Sequence, residues 1–252
     1  MGIKDLFKDK KKEAFHEKAK EVAQGKLKPG KAEELAALSR EHGRDLADDK
    51  TTVRRSIYNK AADSAKGRGK LTSPEAQELA KIQKFLDLRD DQVEKTKWDL
   101  TRLRTVTEIR QGHLPVVAPT HAALRGMQFL PGEVAHYCVP VGVEDHPSAS
   151  GYLGQRVKWE SAYVINSARG HSLPPAAGGK DLGEGHLVLT DKRLFLRAGK
   201  AAAVEYSPQA NLFLYSDGLR IERTVGNTIL RFKSKSDGTA EIVGELLSTL
   251  MR

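Results

Sequence analysis

A loop with nearly the spacing of a nucleotide-binding motif lies close to the N-terminus. Residues 25–32 read Gly-Lys-Leu-Lys-Pro-Gly-Lys-Ala, close to the phosphate-cradling pattern G-x-x-x-x-G-K-[ST]. That chemistry needs a hydroxyl at the last position to hold magnesium and a β-strand ahead of the loop. Ala32 has no hydroxyl, and no strand pattern precedes Gly25. We therefore interpret the segment as a turn between two helices.

The other residues that could do chemistry are not spaced as a catalytic or metal site. The eight histidines lack metal-ligand spacing, and Cys138 is the only cysteine in the chain. The acid-rich runs 45–49 and 87–91 lack the glycine and glutamate of an EF-hand loop, so helix capping suits them better. No serine stands in a G-x-S-x-G elbow. The sequence predicts a non-enzymatic protein with no catalytic, cofactor-binding or metal-binding residue and no cofactor.

Composition indicates a globular chain whose positive charge is concentrated at one end. The 252 residues are 39% hydrophobic and 30% charged, with a net charge of +9, and the length suits two domains. Basic and acidic residues number 19 and 12 in residues 1–70, 8 and 8 in 71–117, and 15 and 13 in 118–252. This distribution disfavours a nucleic-acid partner and favours a local anionic contact or a solubilising arm.

Hydrophobic patterning suggests the compartment. No apolar run approaches the roughly 20 residues that cross a bilayer, and the N-terminus has no leader pattern. Cys138 stands in the apolar run 134–141, where a small core residue is expected. We expect a cytoplasmic protein.

An internal repeat with an offset of 44 residues organises the N-terminal half. Residues 25–36 align with residues 69–80, through Gly-Lys-Leu and a later Ala-x-Glu-Leu-Ala. In the second copy Thr72, Pro74 and Glu75 mark a helix start. Residues 25–117 are therefore predicted to form two helical hairpins. The pattern G-K-L-T-x-x-E-A-x-E-L-A resembles the helical hairpins of bacterial tellurite-resistance-type domains.

Residues 1–24, ahead of the repeat, predict a basic amphipathic helix. Glutamates at 13, 17 and 21 also allow i,i+4 pairing on a plain solvated face. A run of lysines suits an anionic membrane surface or an acidic partner. These lysines are Lys8, Lys10, Lys11 and Lys12.

Residues 118–252 alternate between short strand patterns and turns and end in an amphipathic helix. Residues 185–196 read Gly-His-Leu-Val-Leu-Thr-Asp-Lys-Arg-Leu-Phe-Leu, two apolar runs around a polar turn, and predict a β-hairpin. The predicted strands cover 133–143, 156–166, 186–189, 193–197, 202–206, 212–215, 219–223 and 229–233.

The hairpin resembles the G-x-L-x-L-T-x-x-R-L-x-F hairpin of bacterial PH-like and GRAM-type domains. The resemblance covers roughly residues 125–252 and implies seven or so antiparallel strands closed by one C-terminal helix. The expected fold class is thus α+β: an all-helical repeat region followed by a PH-like antiparallel β-barrel or sandwich capped by one helix. Domains of this kind usually bind rather than catalyse.

The resemblance also indicates where an anion could bind. Lipid-binding members grip inositol phosphates with basic residues on the first two strands, in a K-x(n)-[KR]-x-R pattern. Arg156 and Lys158 are the nearest match, although the connection 144–147 before them is acidic. Lys192 and Arg193 at the hairpin tip offer a second basic point. Residues 168–183, rich in glycine and proline, predict a mobile loop.

Three functions are consistent with these patterns. The leading hypothesis is a non-enzymatic cytoplasmic adaptor or scaffold that binds a protein partner through the PH-like module. The first alternative is a peripheral membrane protein that binds anionic lipid through the basic N-terminal helix and the PH-like domain. The second is a structural subunit of a larger bacterial or phage assembly.

Overall fold

The protein is α+β, with helices first and a curled antiparallel sheet with a final helix after them. The computed structural model describes residues 3–146, 155–156, 172–173, 179–198, 200–205, 211–222, 226–233 and 238–251. The chain divides into two compact units after Thr107. None of the described helices has the length and apolar content that a membrane crossing requires.

Five helices account for the first unit. They are α1 Ile3–Gln24, α2 Lys31–Glu41, α3 Thr51–Arg68, α4 Ser73–Phe85 and α5 Asp90–Arg110, the last of which extends beyond the unit boundary. The predicted start of α4 is confirmed, because Glu75 accepts hydrogen bonds from the backbone N–H and the hydroxyl of Thr72, at 2.9 and 2.8 Å. At the other side of this turn, Gly69 ends α3 with a φ of 60°, a conformation that favours glycine.

The first helices of the two repeat copies are α2 and α4, and they contact each other. Close helix contacts join α1 to α2 and α3, and α4 to α2 and α3. The backbone N–H of Ala32 in α2 donates to Oε1 of Glu78 in α4 at 2.7 Å. Gly25–Gly30 lies between α1 and α2, as the sequence predicts for an inter-helix turn. In a nucleotide-binding loop the N–H of Ala32 would face a phosphate. Here that N–H is already bound to the carboxylate of Glu78.

Eight strands form one antiparallel sheet in the second unit, in the order β2-β6-β7-β8-β1-β3-β4-β5. They are β1 Ala135–His146, β2 Gln155–Arg156, β3 Lys180–Thr190, β4 Arg193–Ala198, β5 Lys200–Glu205, β6 Asn211–Tyr215, β7 Gly218–Glu222 and β8 Asn227–Phe232. Helix α6, Thr239–Leu250, contacts both β3 and β6. These two strands stand four places apart in the sheet, so the sheet curls around the helix.

Strand β1 is shared by the two halves of the sheet. It pairs with β3 from Ala135 to Asp145 and with β8 from Val141 to His146. Its inward side chains Val139, Val141 and Val143 are buried, as alternation along a strand requires.

The structure corrects one end of the predicted mobile loop 168–183. Residues 180–183 belong to β3, where Lys180 and Asp181 pair with Asp145 and Glu144 of β1 across a bulge. The long first strand supplies this pairing, which local composition does not encode. Of the strand predicted over 156–166, the structure describes Arg156 in β2, and residues 157–166 lie outside the described residues.

Candidate functional site

The polar turn of the β3–β4 hairpin is bonded internally and to the chain just before β1. Thr190 is fully buried, and its Oγ1 accepts hydrogen bonds from the backbone N–H groups of Lys192 and Arg193, at 3.1 and 2.9 Å. The same hydroxyl lies 2.7 Å from Oε1 of Glu133, to which it donates. Thr190 therefore fixes the turn and ties it to a residue 57 positions earlier.

Asp191 and Lys192 bind the same upstream segment. The backbone N–H of Asp191 donates to the carbonyl of Val134 at 3.1 Å, and its carboxylate accepts from the N–H of Val134 at 2.8 Å. Nζ of Lys192 donates to the carbonyl of Pro131 at 2.5 Å. The two side chains at the tip of the hairpin thus support a neighbouring segment of the same chain.

Arg193 makes the strongest of these contacts. Its Nε lies 2.9 Å from Oε1 of Glu133, whose side chain is fully buried, and its Nη2 donates to the carbonyl of Gln128 at 2.7 Å. Burial raises the pKa of a carboxyl, yet the Arg193 hydrogen bond and others hold the pKa of Glu133 below its usual range. We call the turn Thr190–Arg193 the hairpin latch, since each of its residues bonds to 128–134.

The latch holds a covering segment, residues 113–134, along the outer face of the sheet. The N–H of Val117 donates to the carbonyl of Ala135 at 2.8 Å. Leu124 is buried against Val188 of β3 and Phe195 of β4. The covering segment is therefore an integral layer of the second unit and not a loose linker.

The covering segment also carries an exposed apolar edge. Among the described residues, four of the six large hydrophobic side chains that remain exposed lie between 116 and 134. They are Val116 (67% exposed), Phe129 (37%), Leu130 (44%) and Val134 (38%). We call these four residues the apolar rim. A grouped apolar surface of this kind marks an interaction site more often than scattered apolar residues do.

The apolar rim is held rigidly. Glu133 closes the turn 130–133, because its N–H donates to the carbonyl of Leu130 at 3.0 Å and its carboxylate accepts from the N–H of Leu130 at 2.6 Å. Val116 and Val134 each lie one residue from the hydrogen bond that joins Val117 to Ala135. These hydrogen bonds therefore fix the backbone on which the exposed rim side chains stand.

The predicted anionic-contact residues are divided between the two units, and several of those described are bonded within their own unit. Lys192 and Arg193 bond to the covering segment as described above, Arg156 lies in β2, and Lys158 lies outside the described residues. In α1, Lys10 and Lys11 are exposed, whereas Lys12 forms an ion pair with Asp49 at 2.8 Å. Lys8 belongs to α1, but its side chain lies outside the described part of the chain.

The apolar face of α1 is buried over the part that the structure describes, residues 15–23. Phe15, Ala19 and Ala23 are buried in the core of the helical unit. His16, on the same side of the helix, lies 2.8 Å from Asp49 through its Nε2. A membrane anchor of the predicted kind would have to withdraw these side chains from that core.

The described residues contain no cluster of histidine, cysteine and carboxylate side chains able to hold a metal ion. Burial raises the pKa of the Cys138 thiol to about 11, so the sulfur is a thiol at neutral pH and packs beside the Leu124 cluster.

Sequence reasoning missed the partners of the hairpin turn. Gln128, Glu133 and Val134 lie 57 to 65 positions before the residues they bind. A local signal was present in Leu130-Pro131-Gly132, where a proline–glycine turn follows two bulky apolar residues. No family model matches this chain, and no curated protein and no solved structure matches it.

Proposed function

We propose that this protein is a non-catalytic cytoplasmic adaptor whose second unit, a PH-like domain, binds a protein partner through the apolar rim. The observation that carries the proposal is the rim itself: four exposed apolar side chains on one braced segment. The curled antiparallel sheet followed by α6 supports the proposal, because the PH-like resemblance implies seven or so antiparallel strands closed by one helix.

The charge beside the rim is mixed. Lys192 and Asp191 are both exposed at the hairpin tip, and each is bonded to a backbone group of residues 131–134, which neutralises neither charge. An apolar segment flanked by one acidic and one basic residue would satisfy both the rim and these two charges.

The alternative of a membrane-bound protein is less well supported. Its anchor would be the apolar face of α1, and on that face Phe15, Ala19 and Ala23 are packed in the helical core. Its basic contacts would include Arg193, and that guanidinium is paired with a buried carboxylate. These side chains would have to leave their partners before they could touch lipid.

The test is site-specific photo-crosslinking in the native cell. We replace Phe129, and in a second protein Leu182, with a photoreactive phenylalanine in the full chain. Leu182 is the matched control, because it is also a large exposed apolar residue of the second unit but lies on β3, outside the rim. We expect one defined protein adduct from position 129 that is absent from position 182 and is lost when Leu130→Ser is added.

Two results would contradict the proposal. Adducts of the same proteins from positions 129 and 182 would indicate nonspecific contact. Co-sedimentation of the full chain with anionic vesicles that is abolished by Leu130→Ser, with no protein adduct at 129, would assign the rim to a lipid surface.

A further inference from the structure

A shallow trough opens on the outer face of the sheet beside residues 121–123 of the covering segment. Its floor is β1, in which Pro140 presents only its compact ring to this face. A cleft of about 490 Å³ lies above Pro140 and is bordered by Gly185 and His186 of β3 and by residues 121–123 of the covering segment. The trough is distinct from the apolar rim, because none of the four rim residues lines it.

The register of the sheet brings three basic side chains into one row across the trough. His186 is the cross-strand partner of both Pro140 and Arg197. On the other side of β1, Val141 pairs with Phe232, so the next residue, Lys233, continues alongside Pro140. Residues in one cross-strand row point to the same face of a sheet. Lys233, His186 and Arg197 therefore share the cleft.

The positive charge of this row is only partly compensated. Nη1 of Arg197 donates to the carbonyl of Ala123 at 3.1 Å, which orients the guanidinium without neutralising it. Lys233 forms an ion pair with Glu184, which is the only carboxylate among the described residues that line the cleft. Nδ1 of His121 accepts from the N–H of Ala123 at 3.3 Å, which leaves the proton of the neutral ring on Nε2. The lining thus holds two cations, one carboxylate and two imidazole donors.

We propose that this trough is a binding site for a phosphoryl group, with Arg197 as its principal ligand and His186, His121 and Lys233 as supporting donors. A guanidinium held in place by one of its N–H groups keeps others for the two-point hydrogen bonding that phosphate oxygens accept. The compact ring of Pro140 at the floor gives the anion room to approach the sheet. The site does not depend on the protein-binding role of the rim.

Titration of the full chain with inorganic phosphate, followed by amide NMR, tests the proposal. We expect shifts centred on Ala123, Gly185 and His186, which line the cleft. Arg197→Gln should weaken binding about tenfold, because a charge-assisted hydrogen bond is lost. Glu184→Gln should tighten binding about threefold, because the competing negative charge is removed. A gain of this kind cannot come from misfolding.

The matched control is Arg125→Gln, which removes an exposed arginine of the covering segment that does not line the cleft. It should leave phosphate binding unchanged. Equal weakening by Arg125→Gln and Arg197→Gln, shifts spread over the whole surface, or no tightening by Glu184→Gln would overturn the proposal.

A second arm identifies the source of the phosphoryl group. Phosphatidylcholine vesicles with and without a phosphoinositide are sedimented with the full chain and with Arg197→Gln. Phosphoinositide-dependent binding that Arg197→Gln abolishes would assign the site to a lipid headgroup. Phosphate binding in solution without vesicle binding would assign it to a soluble phosphorylated compound.

Discussion

The helical unit and the sheet unit use a buried carboxylate for opposite purposes. In the helical unit, Asp49 binds Lys12 and His16 of α1 and so helps to hold Phe15 of that helix in the core, where it is 1% exposed. In the sheet unit, Glu133 binds Arg193 and braces a turn on which Phe129 stays 37% exposed. Apolar residues beside basic ones therefore form core in one unit and surface in the other.

The comparison shows why α1 attracted a membrane hypothesis and the covering segment did not. α1 has the composition of an interfacial helix, but Phe15, Ala19 and Ala23 of its apolar face are already used for folding. The covering segment has an unremarkable composition, yet it leaves four large apolar side chains in water. Whether apolar side chains form core or surface thus follows from what each carboxylate holds in place.

Paired phenylalanine truncations test this difference most strongly. Phe15→Ala should lower the free energy of unfolding by about 4 kcal/mol, because it opens a cavity in a close-packed core. Phe129→Ala should lower it by less than about 1 kcal/mol, since the side chain is partly solvated. Urea denaturation followed by circular dichroism measures both. Similar losses from the two variants would mean that Phe129 is a core residue.

Removal of the arginine in the hairpin latch should have the next largest effect. Arg193→Ala leaves the carboxylate of Glu133 buried without its cation, and we expect a loss of about 3 kcal/mol in the stability of the sheet unit. The control Arg125→Ala removes an exposed arginine of the same unit and should change stability by less than about 0.5 kcal/mol. Thermal unfolding of both variants is compared with that of the parent, and an Arg193→Ala protein as stable as the control would show that the latch is dispensable.

Loss of the carboxylate that holds α1 should have a smaller, pH-dependent effect. Burial raises the pKa of a carboxyl, but hydrogen bonds from Lys12 and His16 outweigh this at Asp49 and leave its pKa below its usual range. The stability that ionised Asp49 provides is then present above the pKa of the unfolded chain and is lost as the pH falls through the folded pKa.

We expect Asp49→Asn to cost roughly 1–2 kcal/mol at neutral pH. The difference from the parent should begin to shrink at about pH 4, the ordinary pKa of an aspartate, and should go on shrinking as the pH falls through the lower folded pKa. Asp48→Asn, at the exposed neighbouring aspartate, is the control and should show no such dependence. Unfolding measured at several pH values provides the comparison, and a constant difference down to pH 3 would exclude the ion pair as its cause.

Local patterns predicted most of the architecture. The α+β fold class is confirmed, and the alternation around Thr190–Arg193 predicted the β3–β4 hairpin correctly. The capping residues Thr72 and Glu75 marked the start of α4 correctly. Each of these features depends on residues within a few positions of one another, which is the range over which sequence periodicity and capping rules operate.

Features that depend on distant pairing were beyond local patterns. Residues 180–183 look like a loop in isolation and become strand only because β1 extends to Asp145. Arg193 looks like an exposed turn residue, because its partner Glu133 lies 60 positions earlier. The basic row of the trough needs the registers of three strand contacts at once. None of these relations has a signature in a short window of sequence.

The sharing of β1 between two sheet halves has a consequence for the order of folding. The ladder β3–β4–β5 and the ladder β6–β7–β8 each close over short connections, whereas β1 must find partners about 45 and 85 residues away. We expect the two ladders to form quickly and β1 to join them in the slow step. Because the covering segment leads directly into β1, the apolar rim is displayed only after this step, and an incompletely folded chain would not yet present it.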